Sequence, residues 1–266
     1  MSIVEAVIIA IVEGLTEFLP ISSTGHMIIA GKFLGVPDND FTKLFTVGIQ
    51  LGAILAVVVL YWKRFFTPAG GRQHRWFFYA KLLVAVTPAL VLGFLLSDWI
   101  DALLESTLTV AITMVAGGCV LLFIDRAFTG ANIDQEEHVS FKNAFLIGCW
   151  QCIAMIPGVS RSAASIIGGM QQKLSRKMAA EFSFFLAVPT MAAATGYKLL
   201  KGYASITPGD LKIFAIGNLV AFVVAILAIK FFITFLQRNG FRLFAYYRIV
   251  AGIVLLVMLA TGYLKG

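Results

Sequence analysis

The chain has 266 residues, of which 59% are hydrophobic and only 13% are charged, and its formal net charge is +7. A soluble globular domain carries about 25% charged residues, so this composition excludes a soluble enzyme and indicates an integral membrane protein. The basic residues lie at the ends of apolar segments, where membrane topology accounts for them, so the charge does not indicate a nucleic-acid partner. The cysteines lie in apolar stretches and predict neither a disulfide framework nor a zinc site.

Two apolar segments, residues 2–36 and 141–175, are interrupted by polar residues, and each is followed by three uninterrupted apolar spans. The spans approach the ~17–25 residues that cross a bilayer, and they do not alternate as strands of a membrane barrel would. In chain order they are Leu44–Trp62, Leu82–Ser97, Ser106–Ile124, Phe182–Tyr197, Ile213–Ile229 and Ile249–Leu264. We therefore predict an all-α polytopic membrane protein, a single domain over residues 1–266 with about six transmembrane helices.

The order of these segments indicates an internal duplication. Ser23 of the first interrupted segment falls on Ser160 of the second, 137 residues later, and the spans that follow fall on one another in turn. Each copy has an odd number of spans, so two copies in tandem enter the membrane in opposite orientations, as in the inverted repeats of transporters. We predict repeat one over about residues 2–126 and repeat two over about residues 141–264.

The interrupted segments are predicted to be re-entrant helix pairs, residues 2–36 and 141–175. Each turns at a proline, Pro20 or Pro157, and neither arm is long enough to cross ~30 Å of hydrocarbon at 1.5 Å per residue. Because non-helical backbone at membrane depth must be covered by protein or line a wet cavity, we expect both tips to border one polar site.

The charge of the connecting loops predicts the orientation. The connector after Trp62 holds the densest basic cluster of the chain, so we expect it to be cytoplasmic. Alternation of the spans then places both termini outside, together with the acidic loop that contains Asp98, Asp101 and Glu105. The first re-entrant pair then opens outward and the second inward. A second outer loop conflicts with this assignment, because it contains Lys198, Lys201 and Lys212.

Two carboxylates and an imidazole flank the first break. Glu13 and Glu17 are four residues apart on one helix face, so either one is protonated or a divalent cation, magnesium or calcium, lies between them. Ser23 and His26 are three residues apart, and a serine beside an imidazole is the minimum arrangement of an activated nucleophile. Ser22, Ser23 and Thr24 directly follow the turn and could cap the second arm, whose free N–H groups would then point into the cavity. The alternatives are acids at a wet interface and a serine that only packs.

The second break offers the groups that bind an anion. Gly158 lets the backbone approach a ligand, Ser160 and Ser162 offer hydroxyls, and Arg161 supplies a planar fork suited to phosphate. In the alternative interpretation Arg161 only pairs with an acid of the first break. Together the two breaks hold the parts of phosphoryl transfer, and the chain has no nucleotide-binding phosphate loop. A site buried in the membrane predicts a lipid substrate whose phosphate head group enters laterally.

Three motifs resemble the signature segments of the bacterial undecaprenyl-diphosphate phosphatases of the bacitracin-resistance type. They are Glu13-Gly-Leu-Thr-Glu17, Ser22-Ser-Thr-Gly-His26 and Pro157-Gly-Val-Ser-Arg-Ser162, and the similarity extends over most of the chain. The resemblance implies hydrolysis of the C55 isoprenoid diphosphate to its monophosphate on the outer side of the bacterial plasma membrane. This reaction recycles the carrier lipid for peptidoglycan synthesis, and overproduction of such proteins gives bacitracin resistance.

The resemblance also implies roles for individual residues. Ser23 would be the nucleophile and His26 its acid/base partner, while Glu13 and Glu17 would bind a metal or act as a base. The phosphate-binding segment is matched by Ser160, Arg161 and Ser162. In one departure, Ser165 stands where the family often has threonine, and the hydroxyl is kept. The phosphatidate-phosphatase type does not fit, because Ile167 stands where that family needs a histidine after its Ser-Arg pair.

A second class of function stays open from the residues alone. A carrier or flippase for a phosphorylated isoprenoid lipid would also have inverted repeats and an anion site near the midplane. A purely structural membrane subunit would leave the buried charges unexplained. The expected partners are the lipid bilayer and a lipid diphosphate. The identity of the metal, the assembly into a homo-oligomer, and serine or histidine as phosphoryl acceptor are left open by the sequence.

Overall fold

The computed structural model describes residues 1–37, 39–67, 71–96, 99–100, 103, 106–202 and 206–264. These residues form twelve α-helices and two short 3-10 helices, Glu136–His138 and Ile153–Met155. The α-helices are α1 (Ile3–Thr16), α2 (Ser23–Leu34), α3 (Asp40–Gly48), α4 (Gln50–Leu60), α5 (Trp62–Phe66), α6 (Gly71–Leu95), α7 (Thr107–Ala127), α8 (Phe141–Cys152), α9 (Arg161–Gln171), α10 (Arg176–Gly202), α11 (Pro208–Asn239) and α12 (Arg242–Ala260). The acidic loop with Asp98, Asp101 and Glu105 lies outside the described residues.

Six helical stretches of the described chain are long and apolar enough to cross a membrane. They are Asp40–Leu60, Gln73–Leu95, Thr107–Ala127, Arg176–Gly202, Gly209–Asn239 and Arg242–Ala260. This confirms the prediction of an all-α, multi-pass membrane protein with about six transmembrane helices. Most of the helices extend past the uncharged runs that predicted them, because polar and basic residues continue a helix into the interface.

Both interrupted segments are helix–break–helix units, as predicted. The arms α1 and α2 have 14 and 12 residues, and α8 and α9 have 12 and 11. At 1.5 Å per residue each arm is at most about 21 Å long, which is too short to cross a bilayer. The first arms begin alike, at the N-cap residues Ser2 and Ser140, whose hydroxyls accept backbone N–H groups.

The helices of each half of the chain pack on helices of the other half. The first arm α1 packs on α11 of the second half, and the equivalent arm α8 packs on α6 of the first half. In the same way α4 packs on α11 and α10 on α6, while α7 and α12 pack on each other. An internal twofold relationship predicts this exchange. The boundaries of the repeats and their opposite orientation in the bilayer stay predictions.

Glycines allow the first arm of each half to pack closely on a helix of the other half. A Cβ atom at Gly14 of α1 would meet the backbone of Ala221 in α11, and one at Gly148 of α8 would meet the backbone of Ala85 in α6. The most enclosed of the membrane-crossing stretches is α10, which packs against both halves of the chain. This position brings Ser183 of α10 beside the second break.

Candidate active site

The two breaks meet in the interior, as the sequence predicted. The hydroxyl of Ser162 donates to the carbonyl of Leu19 at 2.7 Å, and the guanidinium of Arg161 donates to the carboxylate of Glu17 at 3.0 Å. These pairs are 143 and 144 residues apart in the chain. Polar groups from the two halves therefore form one site.

Each break ends at a serine whose backbone is strained. Ser22 has φ 71° and Ser160 has φ 73°, in a region that favours glycine. Each serine is the N-cap of the second arm, and its hydroxyl accepts the N–H of Gly25 or of Ala163. In the structure Ser160 therefore corresponds to Ser22, because both are strained N-cap residues. The sequence alignment at a spacing of 137 residues had matched Ser160 with Ser23, one residue further along the chain.

The carboxylate of Glu17 joins the first residues of both second arms. Ser23 begins α2 and donates its hydroxyl to Oε2 of Glu17 at 2.7 Å. Arg161 begins α9 and donates to Oε1 of the same carboxylate at 3.0 Å. The side chain of Glu17 is only 8% exposed, so this arrangement is largely shielded from solvent.

The guanidinium of Arg161 is fixed from a second side by α10. It donates to the carbonyl of Ser183 at 3.0 Å and to the Ser183 hydroxyl at 3.3 Å, and it lies 5.6 Å from the ring centre of Phe18. Its Nε is buried and has no partner among the described residues. Sequence reasoning missed Ser183. The available signal was a serine in the apolar helix that follows the Arg161 motif.

Glu13 is a buried carboxylate that no donor of the described residues contacts, and its polar neighbour is the carboxylate of Glu17, within hydrogen-bonding reach. The residue is fully buried, and neither carboxylate oxygen is bonded. The charged groups that act on it are Glu17 and Arg161. A buried, unpaired carboxylate next to a second one fits either a bound proton or a divalent cation. Glu13 and Glu17 are therefore the residues that could hold a metal.

His26 is oriented by two partners. Its Nδ1 lies 2.7 Å from the carbonyl of Ser22, and its Nε2 lies 2.8 Å from the hydroxyl of Tyr247. A carbonyl only accepts, so Nδ1 donates and Nε2 accepts from the tyrosine when the imidazole is neutral. The rings of His26 and Tyr247 also stack, with centroids 5.4 Å apart. The Ser23 hydroxyl donates to Glu17 rather than to His26, which differs from the expected pairing; the chemical roles of both residues stay predictions.

The remaining predicted phosphate-binding residues surround the start of α9. The hydroxyls of Ser160 and Ser162 are 3.0 Å apart. Gly158 has φ 85°, and a Cβ atom there would meet Thr113 and the backbone of Val110, so only glycine fits. Thr24 is half-buried in the first turn of α2.

Two residues of α12 complete the site and were missed by sequence reasoning. Tyr247 contacts His26, and the neighbouring Arg248 is fully buried among backbone carbonyls of both breaks. In the sequence Arg248 directly precedes the predicted span Ile249–Leu264 and so counts as a segment-end charge. The available signal was the apolar and aromatic run that also precedes it, residues 243–247. Fold and site together define a multi-pass membrane protein with a buried, two-part polar site suited to an anion.

Comparison with known proteins identifies the family. Residues 6–254 match the family described as bacitracin resistance protein BacA. The chain is 56% identical over 262 residues to an undecaprenyl-diphosphatase of Flavobacterium johnsoniae. The aligned residues cover 97% of this chain and 96% of the relative. It is 59% identical over 261 residues to the undecaprenyl-diphosphatase of Flavobacterium psychrophilum, with the same coverage, and 51% identical over 265 residues to that of Bdellovibrio bacteriovorus, with 99% and 98% coverage. The chain belongs to the bacitracin resistance protein family.

Proposed function

We propose that this protein hydrolyses undecaprenyl diphosphate to undecaprenyl phosphate and inorganic phosphate. Relatives that carry the name of this activity match nearly the whole chain. The observation that carries the proposal is the Glu17 carboxylate, which bonds both the Ser23 hydroxyl and the Arg161 guanidinium inside an apolar bundle. Phosphoryl transfer requires a nucleophilic hydroxyl, a base and a positively charged group that binds the phosphate. Ser23, Glu17 and Arg161 supply these groups within hydrogen-bond distance of one another.

In the proposed first step, the Ser23 oxygen attacks the terminal phosphorus and its proton passes to Glu17, 2.7 Å away. The bond between the terminal phosphorus and the bridging oxygen breaks, and undecaprenyl phosphate leaves. Arg161 and the free N–H groups at the start of α9 stabilise the negative charge on the transferred group. In the second step Nε2 of His26 gives up its hydrogen bond from the Tyr247 hydroxyl and takes a proton from a water molecule, whose oxygen attacks the phosphorus of phosphoserine. The bond between phosphorus and the Ser23 oxygen breaks, and Ser23 takes its proton back from Glu17. The proton on His26 leaves with inorganic phosphate, which restores the resting site.

A divalent cation, magnesium or calcium, is proposed to bind at Glu13 and Glu17. The unpaired oxygens of buried Glu13 support this proposal. The described residues contain no group of three or more His, Cys, Asp or Glu side chains arranged for a metal, so the remaining ligands would be water and the diphosphate itself. Such an ion would neutralise part of the charge of the diphosphate and hold it in the site.

The proposed location is the bacterial plasma membrane, with the site open toward the outer side. The basic connector after Trp62, which predicts a cytoplasmic face there, supports this orientation. The polar site lies among helices whose outer surfaces expose leucine and phenylalanine side chains, which suits a substrate with a long isoprenoid chain. This protein would then recycle the carrier lipid of cell-wall synthesis and give bacitracin resistance when overproduced.

The test is release of inorganic phosphate from undecaprenyl diphosphate by the purified protein in detergent. Ser23→Ala and Arg161→Ala should abolish release, while Ser140→Ala, at an exposed cap of α8, should remain active. Release that persists in both site variants would refute the proposed roles. Movement of the labelled lipid across proteoliposomes without phosphate release would instead support the flippase alternative.

A further inference from the structure

Arg248 donates hydrogen bonds to three separate segments of the chain. The side chain is fully buried, and its acceptors among the described residues are backbone carbonyls. Its Nε donates to the carbonyl of Met114 at 3.0 Å. Its two terminal nitrogens donate to four more carbonyls, those of Pro20 at 3.4 Å, Thr113 at 3.2 Å, Gly158 at 2.7 Å and Val159 at 2.6 Å. One guanidinium therefore ties the first break, the second break and α7 together.

The carbonyls that Arg248 binds occupy equivalent places in the two breaks. Pro20 lies two residues before the strained cap Ser22, and Gly158 lies two residues before the strained cap Ser160. Backbone in this region persists only where its surroundings hold it. The same side chain thus restrains the turn that aims Ser23 and the turn that aims Arg161.

Arg248 also differs from Arg161 in its charge balance. Arg161 is paired with Glu17, whereas none of the salt bridges formed by the described residues includes Arg248. Desolvation of an arginine without a carboxylate partner is costly. In the part of the chain that the structure describes, the groups bonded to this charge are carbonyl dipoles. Space for the guanidinium is made by Gly117 of α7, where a Cβ atom would collide with it.

We propose that Arg248 is a positioning residue that holds both breaks in register, so that Ser23 and Arg161 face the same diphosphate. The proposal rests on the proposed function for its kinetic part only. Because Arg248 acts through the backbone of the breaks, it governs the orientation of the reacting groups rather than the affinity of the lipid. Its loss lowers kcat more than it changes KM.

Three variants test this role. Arg248→Gln keeps hydrogen-bond donors but loses the charge and the reach, and we expect kcat to fall about 10²-fold, the cost of a displacement of about 1 Å. Arg248→Lys keeps the charge and some of the carbonyl contacts, and should recover part of kcat. Arg242→Gln, an exposed arginine at the start of the same helix, should behave as the wild type.

Hydrogen–deuterium exchange supplies a readout that is independent of activity. In Arg248→Gln, peptides covering residues 19–25 and 157–163 should both exchange faster, whereas peptides of α4 should not change. Wild-type kcat, or faster exchange at one break only, would overturn the proposal. If Arg248→Gln does not fold, the exchange of Arg248→Lys at both breaks decides. A wild-type protein that releases no phosphate refutes the proposed function, while the exchange result still decides whether Arg248 joins the breaks.

Discussion

Glu17 and Arg161 form a buried ion pair at 3.0 Å although 144 residues separate them in the chain. The pair joins the end of the first arm of one half to the start of the second arm of the other. Removing one partner of a buried pair costs about 3–5 kcal/mol, because the other charge stays buried alone. The pair is therefore both a structural link and the electrostatic centre of the proposed site.

Arg161→Lys should reduce kcat/KM by about 10²-fold, the loss typical of one missing donor to a developing negative charge. A lysine ammonium is a point charge without the planar fork that contacts Ser183 on one side and Glu17 on the other. Steady-state phosphate release measures the effect. The matched control is Arg176→Lys, since this arginine is 42% exposed where it pairs with Asp125, and the change should alter activity less than about twofold. Equal losses in the two variants would contradict the assigned role.

Ser22→Ala should destabilise the protein more than Ser22→Gly. Both lose the cap hydroxyl, but alanine also adopts φ 71° at a cost of about 1–2 kcal/mol. Ser140 is also an N-cap but has φ −77°, which alanine adopts without strain. The free energies of unfolding of Ser140→Ala and Ser140→Gly should therefore differ only by the preference of the N-cap position for glycine over alanine, which is smaller than the difference expected at Ser22. Unfolding in detergent mixtures, monitored by circular dichroism, measures the differences. A Gly–Ala difference at Ser22 no larger than that at Ser140 would show that the turn is unstrained.

Glu13→Gln should raise the magnesium or calcium concentration needed for half-maximal activity by about 10-fold, since it removes one anionic ligand. The assay is phosphate release after treatment with EDTA and stepwise return of the cation. Glu5→Gln, in the exposed capping box at the start of the same helix, is the control and should keep the wild-type concentration dependence. Full activity of the wild type in excess EDTA would count against a cation at Glu13.

Tyr247→Phe should lower kcat by up to about 10-fold, in line with the loss of one hydrogen bond. The substitution keeps the ring that stacks on His26 but removes the hydroxyl that bonds Nε2 at 2.8 Å. Tyr246 and Tyr247 are similarly exposed, but the structure gives the hydrogen bond to His26 to Tyr247, so Tyr246→Phe is a matched control that should leave kcat unchanged. If both variants retain wild-type kcat, the orientation of His26 by Tyr247 has no role in turnover.

Gly158→Ala should destabilise the fold by about 3 kcal/mol, since the new methyl group adds overpacking to backbone strain. It would meet Thr113 and the backbone of Val110, and the residue has φ 85°. Gly130 has φ 73° but open space around its Cβ position, so Gly130→Ala carries the strain alone and should cost about 1–2 kcal/mol. The yield of folded protein and its thermal midpoint report both effects, and equal midpoints would exclude a steric role for Thr113.

Much of the fold could be predicted from hydropathy alone. The runs that predicted the spans lie almost entirely within the observed helices, because burial in lipid requires continuous apolar sequence and internally bonded backbone. The breaks could be predicted from charged and hydroxyl residues inside apolar segments. The exact correspondence between the two halves could not be predicted. The sequence aligns Ser160 with Ser23, whereas in the structure Ser160 corresponds to Ser22, because these two residues share the strained N-cap conformation.

The sequence by itself determined the class of protein, the two polar breaks and the residue types gathered there, since these depend on local composition. Only the tertiary structure decided which groups meet. Ser23 bonds Glu17 instead of His26, and Arg248, which looks like a segment-end charge, binds carbonyls of both breaks. The physical reason is that a hydrogen bond between groups up to 228 residues apart depends on how the helices pack, and periodicity along one helix carries no record of its distant neighbours.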